Sequence, residues 1–514
     1  MSKTIIIIGA GLAGLSAALQ AAENGCNVKL VSSLPSERAQ SVMAEGGINA
    51  ALNTKDENDS PEEHFTDTIK AACGLADPNA VWGMTQAAPE LVHWLLKLGV
   101  KFNMSGYDDV DLRNFGGQKK KRTAFAQSDT GKQIMTAMID AVRRKEASGM
   151  VERFSHHSFL TLRLCGNICC GCVIRDEYSQ ETVELPGDAV IVATGGMHGL
   201  FGNTTGSLSN TGEVTAELFR LGVPLANGEM IQYHPTTVKC GGKRMLISEA
   251  ARGEGGRLFA MKDGKQWYFM EEKYPELGNL MPRDITAREI WKVSHESEVF
   301  LDMTEISEEI ISNKLSGLAD DCMTYLHKDI RKEPVSVLPG IHYFMGGILV
   351  DEQHRTPIQN LYAAGECCAQ YHGANRLGGN SLLGALYGGR VAVKSACEQA
   401  DVVDLSCATQ IDFPPASQIS EIKQLNKVMQ ETMGVVRNEN TLLNGIQTVQ
   451  ALTGNLPLLG MAVLKSALAR KESRGAHWRE DYPKSNDNDY LKTTVARFDG
   501  KQIQISFVPV PERR

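Results

Sequence analysis

Thr4-Ile5-Ile6-Ile7-Ile8-Gly9-Ala10-Gly11-Leu12-Ala13-Gly14 lies at the start of the chain, and its reading decides the fold. Lys3 to Ile8 has the pattern of a buried strand. Leu15 to Asn24 reads as a helix ending at Gly25, and Asn27 to Ser32 as a second strand, so a βαβ unit begins at residue 3. Gly9-x-Gly11-x-x-Gly14 falls at the junction of the first strand and the helix. The first glycine permits a tight turn, and the second lets a pyrophosphate approach the backbone. The third lets helix and strand pack closely, with phosphate charge resting on the helix N-terminus. The motif alone is weak and often marks a plain glycine turn. Directly after a first strand it points to a dinucleotide.

The acidic residue that usually ends the second strand is absent, and the position carries Ser32-Ser33. The adenosine ribose is therefore expected to meet a serine hydroxyl. A second glycine cluster follows at Ala44-Glu45-Gly46-Gly47. A nicotinamide dehydrogenase has no use for it, whereas a bulky isoalloxazine needs backbone to approach its ring. Thr194-Gly195-Gly196 and Ala364-Gly365-Glu366 add two more strand-end turns able to return to one ligand. FAD is favoured over NAD.

With 514 residues the chain should hold two to four domains or subdomains, at ~150 residues each. Hydrophobic residues at 42% and charged residues at 22% are ordinary for a globular protein and argue against a mainly disordered chain. The net charge is −8, and Lys119–Arg122 is the only basic run of note, which disfavours nucleic acid as a partner. No apolar stretch reaches ~18 residues, so no direct membrane span is expected. The N-terminal apolar run is too short for a signal peptide. A reducing, cytoplasmic setting follows, in which the twelve cysteines need no disulfides. Cys165, Cys169, Cys170 and Cys172 surround Gly166-Asn167, and the group reads as a hairpin. One Cys-x2-Cys spacing without a second pair does not make a zinc site, and no metal is expected. No iron–sulfur pattern and no haem-attaching Cys-x-x-Cys-His occur, so electrons must come from outside the chain.

Ser60-Pro61-Glu62-Glu63 looks like a capping box with proline at the first helical position, the helix closing at Gly74. Further helices are predicted at 79–98, 131–147, 211–222 and 380–400, and a strand at 188–193. Between 227 and 345 short strands, loops and charged helices mix without alternating βα units. Asp412 to Ala416 reads as a linker, and Phe498-Asp499-Gly500 in the polar tail as a hairpin turn. The expected fold class is α/β. A Rossmann-like FAD-binding domain (1–226 and 346–411) is interrupted by an inserted α+β capping domain (227–345). A helical C-terminal domain with a polar tail follows (412–514).

These motifs, with others in the same order, give the chain a resemblance to a known family. They are Asn114-Phe115-Gly116-Gly117, Gln232-Tyr233-His234-Pro235-Thr236, Ser248-Glu249-Ala250-Ala251-Arg252-Gly253-Glu254-Gly255-Gly256 and Pro282-Arg283-Asp284. They continue with His342-Tyr343-Phe344-Met345-Gly346-Gly347, Gly365-Glu366-Cys367, His372-Gly373-Ala374-Asn375-Arg376-Leu377-Gly378-Gly379-Asn380-Ser381-Leu382 and Lys471-Glu472-Ser473-Arg474-Gly475-Ala476-His477. From residue 4 to about 485 the chain resembles the flavoprotein subunit of fumarate reductase and succinate dehydrogenase, a superfamily shared with L-aspartate oxidase. The resemblance implies FAD contacts at Gly9, Ala10, Gly11, Leu12, Ala13, Gly14, Ser32, Ser33, Gln40, Ser41, Ala44, Glu45, Gly46, Gly47, Ala193, Thr194, Gly195, Glu213, Glu366, Ser381 and Leu382. It implies His234, Ser248, His342 and Arg376 as binders of the substrate carboxylates, with Phe115 and Glu249 also lining the substrate. Arg283 is implied as the general acid, refilled through Arg252 and Glu249. Fumarate is a planar dianion, and charge grows toward a carboxylate as hydride arrives, so cationic and hydrogen-bonding groups must stand there beforehand. Arg376 offers a bidentate fork suited to that carboxylate. An arginine is an unusual acid, with a pKa above ~12, and acts only if its proton is replaced at once.

Three departures shape the expectation. Gln40 stands where complex-bound members carry the histidine that links FAD covalently, so FAD should be noncovalent. Losing that electron-withdrawing link makes the reduced flavin a stronger donor and favours fumarate reduction over succinate oxidation. Ser248 replaces the usual threonine and keeps its hydroxyl. Phe115 stands where L-aspartate oxidase places an acidic residue for the substrate ammonium. Aspartate oxidation, reduction of another unsaturated acid, and a non-catalytic electron-carrying flavin subunit remain as alternatives. The resemblance implies an iron–sulfur partner subunit, with attachment to the cytoplasmic membrane through it. The inserted segment is expected to move over the substrate as a lid.

Overall fold

Ile5, Ile6, Ile7 and Ile8 are all buried and alternate between two core layers. Ile5 and Ile7 face the helices, with Leu15 and Leu386, while Ile6 and Ile8 face Cys169, Ile174 and Leu185. A strand covered on both faces reads as an unbroken apolar run, which is the physical basis of the isoleucine tetrad. The computed structural model describes residues 2–106, 109–400, 411, 413 and 418–514. Strand β1 is Thr4–Ile8, helix α1 Leu12–Glu23 and strand β2 Asn27–Ser32.

The central sheet has five strands, in the order Leu361–Ala363, Ala189–Val192, β1, β2 and Val151–Ser155. All four pairings are parallel, and Ile8 aligns with both Val31 and Val192, and Val192 with Ala363. The turns Gly9–Gly14, Ser32-Ser33, Ala193–Gly196 and Ala364–Glu366 therefore leave the same edge of the sheet. The carboxyl ends of such strands are where an open α/β sheet receives its ligand. Gly9 has φ +110°, and a Cβ there would run into the Ala193 carbonyl.

The helix over Pro61–Ala71 starts as its sequence suggests. Ser60 accepts a hydrogen bond from the Glu63 N–H at 3.2 Å, with Pro61 in the first turn. Gly166-Asn167 is the turn between strands His157–Cys165 and Ile168–Asp176, which cover the second face of the central sheet. Cys169, Cys170 and Cys172 are buried free thiols. Cys165 is disulfide-bonded, against the expectation that the chain needs no disulfide.

Between residues 231 and 344 the pairings are antiparallel instead. Ile231–Cys240 pairs antiparallel with Lys243–Leu246 and Leu338–Phe344. A second antiparallel sheet joins Lys265–Trp267, Arg257–Lys262, Val299–Asp302 and Val335–Ser336. Helices Glu249–Gly253 and Arg283–Val293 pack on this unit through Ala250, Ala251 and Ile290. Near the C-terminus, helices Ile419–Thr432, Glu439–Val449 and Asn455–Ala469 bury Leu425, Met429, Leu459 and Val463 against Leu200, Phe201 and Phe219. Each fully buried side chain of this kind contributes about 1.5–3 kcal/mol. The tail forms a strand pair, Lys492–Phe498 with Ile503–Pro509, which adds to Leu225–Ala226. The linker expected at 412–416 lies outside the described residues, Phe413 excepted. No described helix is long and apolar enough to cross a membrane.

Candidate active site

Helix Arg283–Val293 begins at Arg283, directly after Pro282, so the Arg283 side chain leaves the first turn toward helix Glu249–Gly253. There its Nε and Nη2 donate to Oε2 of Glu249 at 2.8 and 2.6 Å. The other carboxylate oxygen, Oε1, accepts from Arg252 Nη2 at 3.3 Å and from the Gly116 N–H at 3.2 Å. Arg252 Nη1 donates to the Asn279 carbonyl at 2.6 Å. Glu249, Arg252 and Arg283 are 2%, 2% and 6% exposed. Burial pushes the Glu249 carboxyl up, but Arg283 and Arg252 outweigh it and hold the group below the usual carboxylate range. Burial lowers Arg252, with Glu249 opposing.

Arg283 is held from a second side. Its Nη1 donates to Gln232 Oε1 at 3.1 Å, and Gln232 Nε2 donates to Asn375 Oδ1 and the Arg376 carbonyl, both at 2.9 Å. One amide thus ties the acid candidate to the turn that carries Arg376. Arg376 is 3% exposed, with its guanidinium 4.3 Å from the Tyr343 ring centroid. Burial, and then repulsion from Arg283, brings its pKa down to about 9. Its Nε has no hydrogen-bond partner among the described residues. A buried cation with an unpartnered N–H suits an anion.

His234 and His342 meet edge to face, their ring centroids 5.2 Å apart. Both are held well below the ordinary histidine value, first by burial and then by Arg283, so both rings are neutral. The backbone of Thr236 engages Nδ1 of His234. Nδ1 of His342 lies 2.8 Å from the Thr205 hydroxyl. Ser248 caps helix Glu249–Gly253, accepting from the Ala250 N–H at 3.4 Å. Phe115 is 2% exposed and packs its ring against Gly46 and Gly378, where added Cβ atoms would come within 3.0 Å. Gln232, Asn375, Asn279, the Gly116 N–H and Thr205 hold the site as well, without a role among the residues expected from the sequence. Gln232 and Asn375 do stand inside quoted motifs, and that was the available signal.

Apart from Glu213, the positions expected to meet FAD lie at the carboxyl edge of the central sheet, at two helix N-termini and in the segment 40–47. Gly11 gives α1 no side-chain cap of its own, and an added Cβ there would meet nothing closer than Ser41 Oγ at 3.6 Å, which leaves space for a phosphate beside the helix start. Ser41, beside Gln40 in a single 3-10 turn, accepts from the Leu12 N–H at 3.3 Å. Ala10, Leu12 and Ala13 are buried in the junction, and Gly14 packs against the Gly9 carbonyl. Ser32 is buried and its hydroxyl has no partner among the described residues, which suits a ribose hydroxyl, while Ser33 is exposed. Ala44, Glu45, Gly46 and Gly47 are drawn in by Arg113, whose Nη2 donates to the Glu45 carbonyl at 2.9 Å and whose Nε donates to that of Gly46 at 3.0 Å. Burial pushes the Glu45 carboxyl up to about 8.

Glu366 accepts from the Phe344 N–H at 3.1 Å and is pushed up to about 7 by burial. Ala193, Thr194 and Gly195 form the turn after Ala189–Val192, where an added Cβ at Gly195 would press on Asn210. Ser381 and Leu382 open helix Asn380–Gln399, which also lacks a side-chain cap. Glu213 stands apart, exposed in the first turn of helix Glu213–Arg220. The open backbone at two helix starts and the orphaned Ser32 hydroxyl fit a dinucleotide. No group of three or more His, Cys, Asp or Glu residues that could hold a metal occurs among the described residues.

A dinucleotide edge beside a buried Arg–Glu–Arg constellation fits an FAD-dependent oxidoreductase. The family described as FAD binding domain matches residues 4–382, and that described as fumarate reductase flavoprotein C-term matches 452–513. The succinate dehydrogenase flavoprotein subunit of Bacillus subtilis is 38% identical, over 100% of this chain and 98% of its own length. The 8-methylmenaquinol:fumarate reductase flavoprotein subunit of Wolinella succinogenes is 32% identical, over 100% and 92%. A structure of an FrdA variant of E. coli quinol fumarate reductase superposes with a TM-score of 0.90 at 27% identity, over 99% of this chain and 97% of that one. The chain belongs to the FAD-binding family of fumarate reductase and succinate dehydrogenase flavoprotein subunits.

Proposed function

We propose that this chain is the flavoprotein subunit of a fumarate reductase, with noncovalent FAD. The observation that carries the reading is the Glu249 carboxylate, shared between Arg252 and Arg283 near a buried Arg376 whose Nε has no hydrogen-bond partner among the described residues. Bound at the sheet edge, FAD supplies hydride chemistry from its N5 position. Arg376, His342, His234 and Ser248 bind the two carboxylates. The excess of buried cationic charge offsets the negative charge that grows on the substrate. Phe115 forms an apolar wall that suits a planar alkene and offers nothing to an ammonium group.

Arg283 gives its proton to the substrate carbon. Two hydrogen bonds from Arg283 to Oε2 of Glu249, and one from Arg252 to Oε1, form the line along which the proton is replaced. Glu249, ionised and acceptor-only, suits the central place in that line.

Gln40 carries the choice of direction, because it cannot form the histidyl link to the flavin. The relatives are named as flavoprotein subunits, and the reductase from Wolinella is named for its quinol. We infer that an iron–sulfur partner subunit brings electrons from a quinol at the cytoplasmic membrane.

The test is anaerobic reoxidation of reduced viologen by fumarate with the purified chain, compared with succinate and aspartate oxidation. Fumarate turnover that is lost in Arg283→Ala supports the reading. Oxygen-dependent aspartate oxidation without fumarate turnover would move the chain to the oxidase branch. Succinate oxidation as fast as fumarate reduction would remove the directional argument from Gln40.

A further inference from the structure

Thr205 lies in an irregular stretch between Leu200 and Glu213, outside every motif that marks the family resemblance. The stretch is nonetheless fixed at this point. The Thr205 N–H donates to the Ile341 carbonyl at 3.0 Å, and the Arg244 N–H donates to the Thr204 carbonyl at 3.2 Å. The Thr204 hydroxyl meets Nδ1 of the fully buried His198 at 3.0 Å and accepts from the Gly206 N–H at 3.1 Å. On this support the Thr205 hydroxyl stands 2.8 Å from His342 Nδ1; it also reaches the Ile341 carbonyl as a donor at 3.3 Å, but that carbonyl already accepts from the Thr205 N–H and is the longer contact.

The chemistry of the neighbour decides the direction of that bond. A carboxylate only accepts hydrogen bonds, so a histidine that binds one must present an N–H. A neutral imidazole has a single N–H, and the partner of one nitrogen decides which nitrogen carries it. Were the hydrogen on Nδ1, the Nε2 lone pair would face an anion. A hydroxyl that donates to Nδ1 moves the hydrogen to Nε2.

We propose that Thr205 is a positioning residue: its hydroxyl donates to His342 Nδ1 and so fixes the tautomer whose Nε2–H meets a substrate carboxylate. The assignment rests on the dicarboxylate reading above. Thr205→Val keeps the shape and removes the donor, so the two tautomers compete. Thr205→Ser keeps the donor.

The experiment uses the flavin-loaded chain and both variants. Malonate is titrated against the flavin absorbance, and fumarate reduction by reduced viologen is followed in parallel. The expected result for Thr205→Val is a rise of roughly 10-fold in malonate Kd and fumarate KM. In that variant kcat should change far less, and flavin content and Tm should match the parent. Thr205→Ser should restore both constants. Parental Kd and KM in Thr205→Val would overturn the proposal, as would a serine variant as impaired as the valine. A parent that binds malonate without reducing fumarate overturns the reductase reading alone, and the Kd comparison still decides Thr205. A parent that binds no dicarboxylate overturns both.

Discussion

Arg283 sets two nitrogens on one oxygen of Glu249, at 2.8 and 2.6 Å, and leaves the other oxygen to Arg252 and the Gly116 N–H. Glu249→Gln keeps the shape and removes the charge, and it turns an acceptor into a donor aimed at a guanidinium. Fumarate reduction should fall by roughly 10²–10⁴-fold, the usual range for losing a positioned proton path. Malonate should still bind, because Arg376 and the histidines are untouched. Steady-state rates alongside flavin-monitored titration check both halves, and a parental kcat would remove Glu249 from the proton path.

Gly116 offers a backbone test of the same path. An added Cβ would lie 2.7 Å from Glu249 Oε1 and 3.0 Å from the Met281 carbonyl. Gly116→Ala must push Glu249 away from its partners. We expect kcat to drop by about 10²-fold, the effect of misplacement by about 1 Å. Flavin content should not change, since the glycines at 9, 11 and 14 lie elsewhere. Activity equal to the parent would show that Glu249 tolerates displacement.

The flavin linkage is checked directly. With Gln40 in place of the linking histidine, acid precipitation should release the flavin to the supernatant as intact FAD. Flavin retained in the washed pellet would reveal a covalent bond and remove the directional argument.

Buried titratable groups set the pH profile of the flavin-free chain. His64, His198, His234, His354 and His477 are all no more than 1% exposed, and burial holds every one below the ordinary histidine value, His64 at about 3 and His198 and His354 at about 4. Below pH ~6.5 the unfolded chain takes up protons at these positions that the fold refuses, so each removes up to about 1.4 kcal/mol per pH unit. Glu45 and Glu366 act in the opposite sense. With values near 8 and 7 they stay protonated when folded, and stability declines as pH rises toward those values. Desolvation holds His342 and His372 down as well and lifts Asp59, Glu213, Asp284 and Asp321, so below pH ~6.5 seven histidines oppose six carboxyls, and we expect the histidines to prevail. Calorimetric scans should show the highest Tm near pH 6.5, a steep acid side and a shallow decline toward pH 8. Glu45→Gln should flatten the alkaline decline only. A Tm that rises on going from pH 6.5 to 4.5 would refute the account.

Although the Cβ collision that excludes other residues at Gly9 is with distant Ala193, the glycine junction was legible because the tight turn that needs a positive φ there is local. The isoleucine tetrad announced a strand covered on both faces for the same reason. The order of the central sheet was not legible. Val151–Ser155 and Leu361–Ala363 are short strands that find their neighbours across more than a hundred residues. The turn at Phe498-Asp499-Gly500 was readable, whereas the pairing of its strand with Leu225–Ala226 was not. Gln232 shows the limit within the site. Its amide matters only because Arg283 and Asn375 arrive from 51 and 143 residues away. Thr205 meets His342 across 137 residues, and no local pattern marks such an encounter.

Gln232, Glu249, Arg252 and Arg283 all belong to the stretch between Ile231 and Phe344, while Phe115, Gly116 and Arg376 come from outside it. The acid candidate and the groups bonded to it therefore lie on one segment of the chain. Lifting that stretch would break the bond from Gly116 to Glu249 and the bonds from Gln232 to the Arg376 turn, yet leave the Arg–Glu–Arg bonds intact. The arrangement would work as an interlock: a molecule with that stretch lifted would keep its Arg–Glu–Arg bonds but hold the acid candidate away from Arg376. Reduced flavin in such a molecule has no protonated route to product, so an assembly of this kind would conserve its electrons whenever the site stands open.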